Sequence, residues 1–183
     1  MTSPWLQTAS GAAYDLLNPD PATITLPDTS HALSLICRYT GHARDFYSVA
    51  QHLVLGARAL RARGHAEGVQ RSYFGHDMHE AVTGDVASPI KRAIGPAWGA
   101  FERVHEIAFR TRFGMPLDLS ADVKAMDLAM LETERRALLD PSPRPIGDGW
   151  PAVDPVEGLV IYTWNPDRAR AEFLAEAARL GVT

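Results

Sequence analysis

The sequence predicts an all-α domain with at most a short β element near its N-terminus. Apolar residues recur at i, i+3 and i+4 through five or six segments, each opened by a capping residue or closed by Gly or Pro. Only one short stretch alternates apolar with polar residues. From Gly11 to Pro27 turn formers dominate, including Asn18-Pro19-Asp20-Pro21, and Thr23-Ile24-Thr25-Leu26 is the candidate strand. The first helix is expected to start near Asp28 as N-cap, to run through His31-Ala32-Leu33-Ser34-Leu35-Ile36 and to end by Gly41. A second starts at Ser48 and carries Val49, Leu53, Ala57 and Leu60 on one face until Gly64. A third covers about 69–82 and stops at Gly84. A fourth covers 98–113, with Phe101, Val104, Ala108 and Phe109 on one side, and ends at Gly114-Met115-Pro116. Ser120 caps a long helix over 121–139 that Asp140-Pro141 terminates. A Pro-rich connection leads to about Pro155, and Asn165-Pro166 opens a last helix containing Phe173, Leu174 and Ala178.

Composition removes function classes without choosing one. The 183 residues are read as one domain, 1–183, long enough to bury a sizeable core. No run approaches the roughly 18 apolar residues that span a bilayer, and the first residues lack a basic segment followed by an apolar one. Cys37 is the sole cysteine, so an internal disulfide and a multi-thiolate zinc site are both excluded. A cytoplasmic location is therefore expected. A net charge of −4 gives no global field toward a nucleic-acid polymer or an anionic membrane. A small phosphate ligand needs only a few local cations.

Polar residues interrupt three of the apolar stripes. In the helix after Ser48 the buried face holds Val49, His52, Leu53, Gly56, Ala57 and Leu60, so His52 sits among core residues. In the long helix Val123, Met126, Asp127, Met130, Leu131, Glu134 and Leu138 share a face. Asp127 is expected to point inward, with Glu134 the next candidate below it. The third helix supplies His76, Asp77 and Glu80 on one face, together with Tyr73 and Ala81. A buried carboxylate costs several kcal/mol unless it is paired or bound to a metal. Singly, each has an ordinary alternative: a hydrogen-bonded core histidine, or an aspartate paired with an arginine. A divalent metal centre accounts for all of them together. His31 and His105 are read as structural, His42 and His65 as solvated loop residues, and His79 is left unassigned.

A histidine, then a His-Asp pair one helix later, then a distant aspartate resembles the HD-domain phosphohydrolases: His52, His76-Asp77 and Asp127. The stretch Gly75-His76-Asp77-Met78-His79-Glu80-Ala81-Val82-Thr83-Gly84-Asp85, with Ser88-Pro89-Ile90-Lys91 after it, is similar to the branch holding the 5′-deoxynucleotidases and the phage-type dATP triphosphohydrolases. Cys37-Arg38-Tyr39 and Ser48-Val49-Ala50-Gln51-His52 fit the same branch, and the likeness runs from about Trp5 into the last helix.

The resemblance implies an HD-type helical bundle that hydrolyses the 5′-phosphoester of (deoxy)nucleotides, releasing nucleoside plus phosphate or polyphosphate. It implies His52, His76, Asp77 and Asp127 as metal ligands and Glu80 as the catalytic glutamate, with Asp77 also in the catalytic set. Arg38 and Lys91 match phosphate-holding positions, and Lys124 matches a lysine of the triphosphate branch. Asp85 matches an acid near the sugar. Tyr39 stands where the bacterial deoxynucleotidases usually carry tryptophan, which leaves base and sugar preference open. A homo-oligomer is implied as well. The oxygen-and-nitrogen donor set suits Mn²⁺, Co²⁺, Fe²⁺, Zn²⁺ or Mg²⁺. From the residues alone, Lys91 is equally an exposed lysine, Lys124 a solvated helix residue and Asp85 a turn residue or cap. Two alternatives complete the expectations: hydrolysis of another phosphoester (a cyclic nucleotide or a phosphorylated metabolite), and a catalytically idle helical protein stabilised by its metal.

Overall fold

Eight α-helices and one two-stranded antiparallel sheet make up the described part of the chain, residues 3–140 and 152–183 of the computed structural model. The all-α expectation with a minor N-terminal β element therefore holds. Within the Pro-rich connection, the turn sequence Gly147-Asp148-Gly149-Trp150, whose aromatic could cover a pocket or meet a neighbouring subunit, lies outside the described residues. Among the described residues no helix is long and apolar enough to cross a membrane.

The sheet pairs β1 (Trp5–Gln7) with β2 (Ala13–Asp15), Leu6 opposite Tyr14. It does not involve Thr23-Ile24-Thr25-Leu26. There Pro21–Thr23 forms a 3₁₀ turn and Thr25 caps α1 (Leu26–Leu35), because Thr25 and Asp28 satisfy one another: the Asp28 backbone N–H donates to Thr25 Oγ1, which donates to the Asp28 carboxylate. Asp28 is thus the partner of the cap, not the cap. The helix ends at Leu35, short of Gly41, because Ile36 turns extended and Cys37 bridges to Ser48.

Ser48 caps α2 (Val49–Ala62) as expected, its side chain accepting from the Gln51 N–H. Ten of the 14 residues of α2 are buried, which makes it the central helix, packed on α1, α3 (Glu67–Phe74), α7 (Ala121–Leu138) and α8 (Pro166–Arg179). Buried Gln51 ties the returning chain to this helix: its Nε2 donates to the Tyr162 carbonyl and its Oε1 accepts from the Trp164 N–H.

Gly56 lets α3 approach α2. A Cβ there would stand 2.2 Å from ring atoms of Tyr73, whose hydroxyl reaches His52 on the same helix. Gly56→Ala is expected to lower unfolding free energy by about 1–3 kcal/mol through overpacking, against a gain of about 1 kcal/mol in helix propensity. Chemical denaturation measures the net. A variant as stable as the parent would mean that the Tyr73 ring moves aside freely.

The single third helix expected over 69–82 is broken. It is resolved into α3, a turn over 75–79 and α4 (Glu80–Thr83), with i→i−3 hydrogen bonds from His76, Met78, Glu80, Ala81 and Val82. At Gly75 a Cβ would fall 1.7 Å from Met115 Sδ, so only glycine admits this side chain against the turn. Gly84, at φ +77, ends α4 as predicted. Beyond it, α5 (Ser88–Ile94) precedes α6 (Pro96–Arg112), which starts before the expected 98. Val104 is exposed, and α6 turns His105 inward with Ala108 and Phe109. The Tyr14 hydroxyl bonds His105 Nδ1 at 2.9 Å, the structural role expected of that histidine.

Candidate metal centre

The predicted ligands converge although three different segments supply them. His52 comes from the middle of α2, His76 and Asp77 from the turn after α3, and Asp127 from the second turn of α7. The break in the third helix is what presents His76-Asp77 to α2. One ligand atom each from His52, His76 and Asp127 lies within 4.8 Å of the others. Asp127 Oδ1 stands 3.4 Å from both His52 Nε2 and His76 Nε2, and Asp77 Oδ2 stands 3.1 Å from His76 Nε2 and 4.0 Å from His52 Nε2. Asp127 is not buried as expected. Its side chain is 39% exposed and sits at the rim with one oxygen turned to the histidines.

The hydrogen bonds on the far side of each imidazole decide what faces the centre. His52 Nδ1 lies 2.6 Å from Glu134 Oε1, and His76 Nδ1 lies 2.6 Å from the Tyr73 carbonyl. An ionised carboxylate and a carbonyl only accept, so each Nδ1 carries a proton and donates. In the neutral imidazoles the Nε2 lone pairs then point at one another's carboxylate neighbours. Buried His76 Nε2 has no hydrogen-bond partner among the described residues, although two carboxylate oxygens stand at 3.1 and 3.4 Å.

Of these four acceptors around one point, His52 Nε2 has the Tyr73 hydroxyl at 3.1 Å, and a positive charge between them would satisfy the other three. Proton affinities report the same demand. For His76, burial opposes the imidazolium, but Asp77 and Asp127 outweigh it and hold its pKa well above the usual histidine value. For His52, burial and the Arg38 charge work downward, while Glu134 and Asp127 carry the net shift upward. Burial raises the Asp127 and Asp77 carboxyls, yet the histidines pull both below the usual range.

A divalent ion meets the demand with geometry to match. Ligand atoms about 2.1 Å from a common centre are about 3.0 Å apart at right angles and about 3.4 Å apart at the tetrahedral angle. The separations here, 3.1, 3.4, 3.4 and 4.0 Å, fall in that range or just beyond it. The residues fit a metal: the cluster of buried His52 and His76 with Asp127 at the rim could hold one.

Around the cluster stand further groups. Arg38 is 7% exposed, with Nη1 3.8 Å from Asp77 Oδ2 and Nε donating to Glu134 Oε2 at 3.1 Å. Tyr39 also donates to Glu134 Oε2 at 3.1 Å, while its ring lies under the Arg38 guanidinium. Tyr39 and Thr40 hold positive φ (58° and 53°), a backbone costing about 1–3 kcal/mol at each non-glycine residue. Glu80 is 3% exposed and its Oε2 has no hydrogen-bond partner among the described residues. Burial first, then the charges of Asp77 and Asp85, push its carboxyl well above the usual range. Asp85 is half-buried and raised as well, mainly by burial.

Lys91 Nζ bonds Glu102 Oε1 at 2.5 Å, and His79 Nε2 stands 3.5 Å from the same oxygen. Glu102 was not a predicted site residue, since its stripe on α6 reads as ordinary surface. Lys124 is exposed one turn before Asp127 and makes no ion pair among the described residues. A cleft of about 390 Å³ opens elsewhere, between β1, α1 and α4. It is lined by Leu6, Tyr14, Ile24 and Val82 among others, and by none of the cluster residues.

No family model matches the chain. It is 37% identical over 165 residues to the uncharacterized protein YfdR of Escherichia coli (strain K12), covering 88% of this chain and 85% of that one. It is 34% identical over 186 aligned positions to an uncharacterized protein of Rhodobacter capsulatus, covering 96% and 94%. At that identity and coverage, the chain belongs to the same protein family as Escherichia coli YfdR.

Proposed function

We propose that the chain is a divalent-metal-dependent phosphohydrolase of the HD type that cuts the 5′-phosphoester of (deoxy)nucleotides, releasing nucleoside plus phosphate or polyphosphate. The observation that carries the reading is the convergence of His52, His76, Asp77 and Asp127, with both imidazole Nε2 atoms turned onto carboxylate oxygens. Two imidazoles and two carboxylates suit Mn²⁺, Fe²⁺, Co²⁺ or Zn²⁺, and less selectively Mg²⁺. A divalent ion held there supplies Lewis acidity toward a phosphoryl oxygen and lowers the pKa of a bound water from 15.7 toward about 7 at the best zinc sites.

The other residues then have chemical work that a purely structural metal would not require. Arg38 offers a planar fork for phosphate oxygens, with Glu134 fixing its Nε end and leaving its Nη groups toward the cluster. Lys91, gripped by Glu102, adds a point charge for phosphate. Lys124 is free to meet further phosphates of a polyphosphate. Glu80, whose carboxyl burial and the neighbouring acids raise, can pass a proton to the departing 5′-oxygen as the P–O bond breaks. The resemblance sets Asp85 near the sugar and Tyr39 where base or sugar preference is decided, and the proposed substrate is a small molecule, not a nucleic-acid polymer.

The test incubates metal-stripped and Mn²⁺- or Co²⁺-loaded protein with dNMPs, NMPs and dNTPs and separates the products by chromatography. Metal-dependent release of nucleoside is expected, with orthophosphate from monophosphates or whole triphosphate from a dNTP. A metal that raises the melting temperature while no nucleotide reacts would remove the nucleotide reading.

A further inference from the structure

Glu134 takes four hydrogen bonds on one carboxylate and is completely buried. Oε1 accepts from His52 Nδ1 at 2.6 Å and from the Tyr47 hydroxyl at 2.9 Å. Oε2 accepts from Arg38 Nε and from the Tyr39 hydroxyl, both at 3.1 Å. We propose that Glu134 is a positioning residue that sets the metal-ligand face of His52 with one oxygen and the phosphate-facing guanidinium of Arg38 with the other, so that a single buried carboxylate fixes both binding functions in register. The inference rests on the metal-centre reading of His52, His76 and Asp127.

The geometry leaves little room for a packing role alone. A hydrophobic residue at this place would strand an imidazole N–H, a guanidinium N–H and two phenol hydroxyls in the core. Such donors are costly to bury without acceptors. The two oxygens are also divided by function. One serves an imidazole whose opposite nitrogen faces the metal cluster, the other an arginine whose opposite end lies 3.8 Å from Asp77. An imidazole that donates its outer N–H to a carboxylate presents a more basic, oriented nitrogen to a metal, and loss of such a partner weakens metal binding about 10–100-fold. Glutamine keeps the shape but has only one accepting atom, so it can serve His52 or Arg38 but not both.

The experiment titrates Co²⁺ into metal-stripped wild type, Glu134→Gln, Tyr47→Phe and His52→Ala, following visible absorption, and then titrates inorganic phosphate into the Co²⁺-loaded proteins. Tyr47→Phe removes one donor to the same oxygen while leaving both proposed functions of Glu134 in place. Expected results are a Co²⁺ dissociation constant weakened about 10–100-fold in Glu134→Gln, weaker phosphate binding in the loaded variant, and wild-type values for both in Tyr47→Phe. Should Glu134→Gln fail to fold, Glu134→Asp carries the same comparison, since its carboxylate keeps the charge but retreats by about 1.5 Å and cannot span both partners. Co²⁺ and phosphate affinities equal to wild type in the folded variant, with only the melting temperature lowered, would overturn the proposal and leave the metal reading intact. A wild type that binds no more Co²⁺ than His52→Ala would overturn both.

Discussion

Asp127→Ala is expected to abolish metal-dependent stabilisation and to lower nucleotide hydrolysis by at least about 10³-fold. The oxygen Oδ1 is the one acceptor equidistant, at 3.4 Å, from both imidazole nitrogens. Without it the site retains His52, His76 and Asp77, and a divalent ion loses a quarter of its protein ligands and one of two neutralising charges. Wild type at a free Co²⁺ concentration of 100 times the dissociation constant gains about 2.7 kcal/mol. For a chain of this length that corresponds to a rise of about 5–10 °C in melting temperature. In Asp127→Ala the rise at the same Co²⁺ concentration should fall to within error of zero. Scanning calorimetry with and without Co²⁺ reads this without any substrate, so the ligand assignment is tested separately from the reaction. A rise in the variant as large as in wild type would remove Asp127 from the ligand set.

Much of this arrangement was legible in the sequence, because the signals were local. Ser48, Ser120 and Asn165 cap helices where their spacing to apolar stripes placed them. His52 interrupts a stripe buried at every one of its positions, and the periodicity alone exposed the anomaly. What stayed hidden depends on partners distant in the chain. Glu134 could be read as inward, but its four donors lie 82 to 96 positions away and no pattern links them. The break at Gly75 was hidden because 69–82 keeps helical spacing throughout, and Met115, which packs against Gly75, comes from another segment. The hairpin was missed because each strand is three residues long, β1 is exposed along its length and only Tyr14 of β2 is buried. Thr25 lost to Asp28 as the expected cap because both residue types cap helices, and their reciprocal bond settles the roles. Asp127 was placed inward by its stripe, yet its short side chain holds it at the rim.

Glu80→Gln is expected to reduce kcat by about 10²–10⁴-fold while leaving the Co²⁺ affinity within a factor of about two. Glutamine fills the same buried space, and its amide cannot give up a proton at any working pH. Glu80 is suited to that task by its surroundings. Burial disfavours its charge, the Asp77 and Asp85 carboxylates add to the effect, and Arg38 and Lys91 oppose it without reversing it. A carboxyl raised in this way holds its proton below the shifted pKa and loses it above. Activity that needs the proton is therefore retained on the acid side and falls as pH rises through that value. The wild-type rate should show this alkaline fall, and the residual rate of Glu80→Gln should not. Asp85→Asn removes one of the charges that keep the proton on Glu80, so its alkaline fall should move to lower pH while the plateau rate survives. A Glu80→Gln variant that retained a tenth or more of the wild-type rate, with the alkaline fall unchanged, would place the proton donor elsewhere. Asp85 is the other acid beside the cluster whose carboxyl is raised, and Asp85→Asn would in that case lose the plateau instead of shifting the fall.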